Sequence, residues 1–232
     1  MLIDSITNKQ KLLKYFLKNT LFEGWNQKAL ENAFKDAEID IKYLPFIFEN
    51  GILDITDFFI REIDDEMLKK TKDIDFSQMK IRDRIKNLVK ARLEINQKHH
   101  AQIKLLVAFY YKPKNIRHAL TNAFKTADLM WKIAVDDATD FNYYSKRFIL
   151  AKIYIRVLNS FAKDNSENYQ KTLDLLDSEI EKVMKITSLK FKTKNYCDKF
   201  CSSLKNADQF KNQLFKSPKE FIKNLPFFRL YK

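Results

Sequence analysis

The sequence predicts an all-helical fold, and three observations support this prediction. The 232 residues include only two glycines and four prolines, whereas β-hairpins and glycine-rich phosphate loops depend on residues that tolerate positive φ. Apolar residues recur every three or four positions along most of the chain, which is the spacing of a helix with one buried face. Hydrophobic residues make up 45% of the chain and aromatic residues 14%, so a sizeable core is expected and disorder is not.

The first half of the chain is predicted to contain several helices interrupted by two glycines. Gly24 breaks the first helix, and Gly51 fits the C-terminal cap of a short segment. Pro113 ends the last helix of this half, because proline lacks the N–H that an interior helical position needs. The apolar spacing places the segments at residues 4–21, 29–37, 43–48, 52–63, 81–95 and 103–111, with a polar stretch at 64–75.

Two long helices are predicted next, at residues 115–136 and 140–163. In the first, alanines at positions 119, 123 and 127 leave room along one face, for a neighbouring helix or for a ligand tail. The second is apolar on most sides and is therefore expected to be buried. Ser166 is expected to cap a last helix that extends through residues 173–183.

The formal charge of +13 is concentrated at the C-terminal end. Residues 185–232 carry twelve Lys and Arg against three acids, which makes this tail the expected site of any basic interaction surface. We predict one domain, formed by a helix–turn–helix region at 1–60 and a ligand-binding region at 61–188, followed by a basic tail at 189–232.

The chain is expected to be intracellular or peripheral to a membrane. Its first residues do not have the composition of a secretory signal or a transit peptide, and no run of about 18 apolar residues predicts a spanning helix. Cys197 and Cys201 lie four residues apart. Reduced, packed thiols are the favoured interpretation, and a reactive pair is the alternative.

The sequence has no recognisable catalytic or metal-binding motif. The histidines at 99, 100 and 118 form neither a HExxH motif nor a Glu-x-x-His pair, and the glycines are too far apart for GxSxG. A metal site is one interpretation of the aspartates at 128, 136, 137 and 140; the favoured one is that Asp140 caps a helix and the others face solvent or a partner. We therefore predict no enzymatic activity, no metal and no cofactor.

DNA binding is disfavoured by the charge of the helix–turn–helix region. Residues 26–60 carry three lysines and seven acids, and a net charge of −4 repels the phosphate backbone. We predict that the chain does not bind nucleic acid; a DNA-binding transcription regulator remains the alternative from another functional class.

The tail is predicted to contain a basic amphipathic helix. Residues 217–220, Ser-Pro-Lys-Glu, form a capping box with proline at the first helical position. A phenylalanine-rich, lysine-flanked helix suits an anionic membrane surface, although the same helix could pack back on the domain. The predicted membrane-binding residues are Phe221, Ile222, Lys223, Leu225, Phe227 and Phe228.

A specific pattern in the second half resembles a known family. The stretch 126–131, Thr-Ala-Asp-Leu-Met-Trp, is followed by Ala134 and by Thr-Asp-Phe-Asn-Tyr-Tyr-Ser-Lys-Arg at 139–147. Together with residues 79–85, 92–94, Gly24-Trp25 and 48–51, this pattern resembles the lipid-binding accessory family of ubiquinone (coenzyme Q) biosynthesis. The chain departs from the family at Val135, where glycine is usual, and at Ser145, where threonine is usual.

The resemblance implies a fold, a ligand and partners. It implies an all-α, TetR-regulator-like domain with a vestigial helix–turn–helix and a C-terminal amphipathic helix, and a homodimer. The expected ligand is an isoprenoid quinone precursor or a phospholipid, and the expected partners are the di-iron demethoxyubiquinone hydroxylase and a membrane surface. A lipid carrier without an enzyme partner is an alternative. Abundant Lys, Asn, Ile and Phe suggest an AT-rich bacterial genome. Together with the expected intracellular or peripheral location, this predicts a bacterial cytoplasmic protein, peripheral to the inner membrane.

Two sets of site residues are predicted from this family signature. Each lining residue could equally be ordinary core, and each patch residue could equally belong to a capped helix start with i, i+4 pairs. The predicted lipid-lining residues are Met130, Trp131, Ala134, Phe141, Tyr144, Phe148 and Ala151. The predicted surface patch for the hydroxylase is formed by Asp137, Asp140, Asn142, Tyr143, Lys146 and Arg147.

Overall fold

The computed structural model describes residues 5–134 and 141–190, and side chains for 7–134 and 143–185. The described parts contain nine α-helices and no strand, as an all-α fold requires. Three short 3-10 turns, Ile41–Tyr43, Pro113–Asn115 and Glu167–Tyr169, each lead directly into a helix. The helices are α1 (Ser5–Glu23), α2 (Gln27–Asp36), α3 (Leu44–Ile47), α4 (Ile52–Thr71), α5 (Ile81–Gln97), α6 (His100–Tyr110), α7 (Ile116–Ile133), α8 (Phe141–Phe161) and α9 (Gln170–Lys190).

Trp25 connects the N-terminal helices to the rest of the core. It follows Gly24, whose φ of +82° allows the sharp turn between α1 and α2. The Trp25 ring lies 5.0 Å from that of Phe16 and 5.6 Å from that of Phe59. Its indole N–H donates to the Thr56 hydroxyl at 2.9 Å. A buried tryptophan with a satisfied N–H therefore joins α1 to α4.

Two boundaries differ from the predictions in the first half. Gly51 does not cap the short helix α3, which ends at Ile47 with Phe48 as its C-cap; instead Gly51 precedes α4 with a φ of +56°. The expected polar stretch 64–75 is helical as far as Thr71. Its polar residues bridge α4 to α5 through the pairs Lys70–Glu94, Glu66–Lys98 and Asp64–Arg92, while Ile63 and Met67 continue the buried face.

The pair Asp64–Arg92 is the most buried ion pair between described residues. Arg92 is fully buried, and its Nε also donates to the Tyr154 hydroxyl of α8 at 2.7 Å. Burial raises the pKa of Asp64, although the nearby guanidinium partly opposes this shift. The cluster joins α4, α5 and α8 in the middle of the domain.

The corner between α8 and α9 is held mainly by Asp164. The Ser166 side chain makes no capping bond to the 3-10 turn, but its hydroxyl accepts from the Lys171 N–H in the first turn of α9 at 3.3 Å, as the predicted capping role requires. The Asp164 carboxylate accepts hydrogen bonds from the Ser166 N–H at 2.9 Å and its hydroxyl at 2.6 Å. It also accepts from the Thr172 N–H at 2.8 Å and hydroxyl at 2.6 Å. Burial opposes ionisation, but these four bonds outweigh it and lower the pKa of Asp164 to about 2.

The helix directions bring several helix ends to one pole of the domain. α7 begins beside the first half of α4, where His118 contacts Asp57, and the end of α7 lies beside the end of α4. α9 runs antiparallel to α8, because Tyr169 stacks on Phe161 and Glu179 pairs with Arg156. We call the region formed by the ends of α4 and α7 and the starts of α5 and α8 the α7 pole.

Candidate functional site

An open cleft of about 780 Å³ lies at the α7 pole. Its walls come from the end of α4, the connection between α4 and α5, the start of α5 and the end of α7. Four lining side chains are apolar: Leu68, Ile74, Phe76 and Ile133. Three cations and one acid complete the charged part of the lining, namely Lys69, Lys72, Arg84 and Asp75. The cleft is therefore apolar with a net positive charge.

Arg84 holds the two sides of this cleft together. Its Nε donates to the carbonyl of Met79 at 2.9 Å, and Nη2 donates to that of Ser77 at 3.0 Å. Its Nη1 reaches the carbonyl of Ala134, one residue beyond α7, at 2.9 Å. A guanidinium beside the terminal carbonyls of a helix is favoured by the helix dipole. The sequence reasoning missed this role, although Arg84 lies in the family-like stretch 79–85.

A second polar cluster joins α7 to α8 near the same pole. The Asp128 carboxylate accepts from the Tyr143 hydroxyl at 3.0 Å, from Lys132 Nζ at 2.8 Å and from Arg147 Nε. The Arg147 guanidinium lies 3.3 Å from the centre of the Tyr143 ring, and Nη1 donates to the Tyr143 carbonyl at 3.1 Å. Burial would raise the pKa of Asp128, but these donors outweigh burial and hold the pKa below its ordinary value.

The predicted lipid-lining residues whose side chains the structure describes are not among the residues that line the cleft. Met130, Trp131, Ala134 and Ala151 are buried in the core, and Tyr144 is 46% exposed. Phe148 is half-buried, whereas Phe141 lies at the start of α8 with its side chain outside the described residues. The carbonyl of Ala134 nevertheless borders the cleft through its bond to Arg84. Their role in lipid binding stays a prediction.

The predicted hydroxylase patch is brought together only in part. Tyr143 and Lys146 lie on the first turns of α8, and Lys146 Nζ lies 5.4 Å from the Trp131 ring centre. Arg147 is only 1% exposed, so its side chain supports Asp128 and Tyr143 instead of facing solvent. Asp137, Asp140 and the Asn142 side chain lie outside the described residues, as do all of the predicted membrane-binding residues.

A smaller cavity of about 380 Å³ was not predicted. It lies between α1, the end of α3, α4 and α7, and its lining includes Asp57 and Asn122. The Asp57 carboxylate is 2.5 Å from His118 Nε2 and accepts from Asn122 Nδ2 at 2.8 Å. Burial lowers the pKa of His118, with Asp57 opposing the shift. One sequence feature could have indicated this polar cluster: His118 and Asn122 are four residues apart, which places both polar side chains on one face of α7.

The described residues, 5–134 and 141–190, contain neither a metal-binding cluster nor a membrane-spanning helix. No group of three or more His, Cys, Asp or Glu side chains is arranged to hold a metal ion there. None of the helices in these ranges is long and apolar enough to cross a membrane.

The comparisons with known proteins agree with the resemblance. Residues 116–187, which cover α7, α8 and most of α9, match the COQ9 family model. The chain is 22% identical over 194 residues to a probable ubiquinone biosynthesis protein coq9, mitochondrial, of Dictyostelium discoideum, covering 79% of this chain and 61% of that protein. It is 36% identical over 72 residues to the mitochondrial ubiquinone biosynthesis protein COQ9 of Rattus norvegicus, covering 31% of this chain and 23% of the rat protein.

A solved structure supports the TetR-like fold that the resemblance implies. A TetR transcriptional regulator from Nitrosomonas europaea aligns with a TM-score of 0.59 at 15% identity, covering 75% of this chain and 97% of the regulator. At that identity the likeness concerns the fold alone. The predicted all-α, TetR-regulator-like class and the resemblance to the ubiquinone-biosynthesis accessory family are both confirmed.

One prediction is wrong. A bacterial cytoplasmic location was expected from composition, but the relatives are eukaryotic proteins named as mitochondrial. A bias toward Lys, Asn, Ile and Phe reflects codon usage and does not distinguish bacterial from eukaryotic genomes. The chain spans about three fifths of the Dictyostelium relative, at 61% of its length.

Proposed function

We propose that this COQ9-like chain is a non-enzymatic, lipid-binding accessory protein of ubiquinone biosynthesis. It takes up a quinone precursor from a membrane and presents it to the di-iron demethoxyubiquinone hydroxylase, which carries out the oxidation. The names of the relatives support the pathway. The observation that carries the lipid-binding proposal is the apolar, cation-rimmed cleft at the α7 pole.

The composition of the cleft suits an amphiphile. Its volume of about 780 Å³ lies within the range of about 300–1,000 Å³ that is usual for ligand pockets. Leu68, Ile74, Phe76 and Ile133 offer an apolar wall to an isoprenoid or acyl chain. Each Å² of apolar surface removed from water contributes about 25 cal/mol. Arg84 and the two lysines of the rim provide hydrogen-bond donors to an oxygen-rich head group.

The position of the cleft suits a membrane-facing role. α9 runs antiparallel to α8 and ends at Lys190, on the side where α8 begins. The basic tail therefore follows directly from the α7 pole, where the cleft opens. A phenylalanine-rich basic segment in contact with anionic lipid would hold the cleft near the bilayer.

The first turns of α8 supply the proposed contact with the hydroxylase. Tyr143 and Lys146 lie beside the α7 pole, and Arg147 and Asp128 fix the Tyr143 ring in place. A ligand in the cleft would thus be held close to the surface that the hydroxylase approaches. Pull-down of the hydroxylase by Tyr143→Ala and Lys146→Glu tests this contact; unchanged pull-down by folded variants would refute it. The homodimer stays a prediction.

Native mass spectrometry of the purified full chain, combined with lipid extraction, tests the central proposal. The proposal expects additional mass from an isoprenoid quinone precursor or a phospholipid that is released on denaturation. A chain that stays without added mass after incubation with vesicles containing such lipids would contradict it.

A further inference from the structure

The surface around α3 exposes aromatic side chains that a core would normally bury. The 3-10 turn Ile41–Tyr43 runs directly into α3, so Tyr43 and Phe46 lie about one turn apart on the same side. Phe46 is 85% exposed, Ile41 48% and Tyr43 37%. Leu44 and Ile47 on the other side pack against the core. We call the exposed set of Ile41, Tyr43 and Phe46 the α3 face.

Acidic residues flank this face in the sequence. Residues 36–50 contain Asp36, Glu38, Asp40 and Glu49 against Lys42 alone, a net charge of −3. All four carboxylates are exposed. Lys42 is already paired with Asp40 at 2.8 Å. The segment 36–50 is therefore exposed, partly apolar and acidic, with Lys11 of α1 bonded to the Ala37 carbonyl at 2.7 Å and Lys9 Nζ 5.8 Å from the Phe48 ring centre.

Such a face does not suit DNA or an anionic membrane. Both carry dense negative charge and would be repelled by the carboxylates. α3 is also only four residues long, Leu44–Ile47, which is short for a helix that reads a groove. A complementary partner needs apolar side chains flanked by Lys or Arg.

We propose that the α3 face binds the C-terminal segment of this same chain, residues 191–232. This segment carries the complementary charge, since residues 185–232 have twelve Lys and Arg and three acids. It also supplies aromatic and aliphatic residues between those cations, among them Phe221, Leu225 and Phe228. An extended chain covers about 3.3–3.6 Å per residue. About 40 residues are therefore long enough to reach from the end of α9, at the α7 pole, to α3, which precedes the start of α4 at the other end of that helix.

The contact has a consequence for membrane binding, and this part depends on the proposed function. A tail bound to the α3 face is withheld from lipid, and an anionic surface competes for the same lysines and phenylalanines. Weakening the α3 face would then strengthen vesicle binding. The docking itself does not depend on a ligand in the cleft, so failure of the lipid assay would leave it intact.

Photo-crosslinking of the full chain tests the proposal. The photoreactive residue p-benzoyl-L-phenylalanine is placed at Phe46, and as a control at Tyr111, which is 61% exposed at the end of α6. The proposal expects crosslinks from position 46 to peptides of residues 191–232 within one 27.7 kDa chain, and none to these peptides from position 111. Crosslinks only to other segments, only between two chains, or none at all would overturn it.

Charge reversal separates a specific contact from chance proximity. The double variant Asp40→Lys, Glu49→Lys should lower the crosslink yield from position 46 at least fivefold. Without these two substitutions, 0.5 M salt should also lower this crosslink yield, because screening weakens exposed charge pairs. The matched control is Glu167→Lys with Asp174→Lys, which reverses two exposed carboxylates near the start of α9. Equal losses in both double variants would contradict a contact at the α3 face.

Discussion

Arg84 Nη1 donates to the carbonyl of Ala134 at 2.9 Å, which joins the start of α5 to the end of α7 across fifty residues of sequence. The same guanidinium bonds the carbonyls of Ser77 and Met79 in the connection that walls the cleft. One side chain thus determines how the cleft wall meets the helix that carries the family signature.

Arg84→Ala should destabilise the domain by about 1–3 kcal/mol, since three carbonyls lose a charged donor. Arg84→Lys should recover only part of this loss, because an ammonium cannot reproduce the planar fork. Urea unfolding measures both. Arg82→Ala is the control, since Arg82 is half exposed and its described ion pair is with the neighbouring Asp83 at 3.6 Å. If Arg84→Ala and Arg82→Ala unfold at the same urea concentration, Arg84 does not stabilise the contact between α5 and α7.

Arg147→Ala should destabilise the domain more than Lys132→Ala, although both side chains bond Asp128. Arg147 is 1% exposed and stacks on Tyr143, so its removal leaves a cavity and an undercompensated carboxylate, at a cost of about 2–4 kcal/mol. Lys132 is largely exposed, and its loss should cost at most about 1 kcal/mol. Thermal and urea unfolding compare the two, and equal effects would show that Arg147 does not carry the α7–α8 contact.

Sequence periodicity was sufficient for the helices but not for the site. α1, α5, α7 and α8 lie close to their predicted positions because each has a continuous apolar face. α4 extends past its prediction because the polar residues after Ile63 are paired with α5. No local pattern reveals pairs whose partners lie 24 and 32 residues apart in the sequence.

Neither the burial of Arg147 nor the cleft could be predicted from the sequence. Arginine is usually exposed, and Arg147 is buried only because Asp128 on another helix meets it. The cleft is formed where four elements end, so its apolar residues follow no shared period. The family resemblance pointed to α7 and α8, of which α7 contributes Ile133 to the cleft lining, whereas the residues that line the cleft from α4, α5 and their connection required the packing.

Asp164 should give the domain a distinct acid response. Its folded pKa of about 2 lies below the ordinary 3.8, so its stabilising contribution is present above about pH 4 and is lost as the pH falls through about 2. Asp164→Asn should therefore cost about 1–2 kcal/mol at pH 6 and progressively less towards pH 2.5. Urea midpoints of both proteins across this range measure the effect, and a pH-independent difference would contradict it.

The acidic helix–turn–helix region should fail to bind DNA. Mobility-shift assays on genomic fragments at low salt should give only weak, sequence-independent shifts, attributable to the basic tail. A tight, salt-sensitive and sequence-specific shift would instead favour the transcription-regulator alternative.

Lipid retention by cleft variants tests the central claim most directly. Leu68 and Ile74 line the cleft and are 40% and 38% exposed, so aspartate at either position should leave the fold intact. The control is Ile81, which is 44% exposed and is not among the residues that line the cleft. Native mass spectrometry should find the lipid-bound fraction reduced at least tenfold in Leu68→Asp with Ile74→Asp and unchanged in Ile81→Asp. Equal lipid retention by the unmodified chain, the double variant and Ile81→Asp, each of them folded, would contradict lipid binding in this cleft.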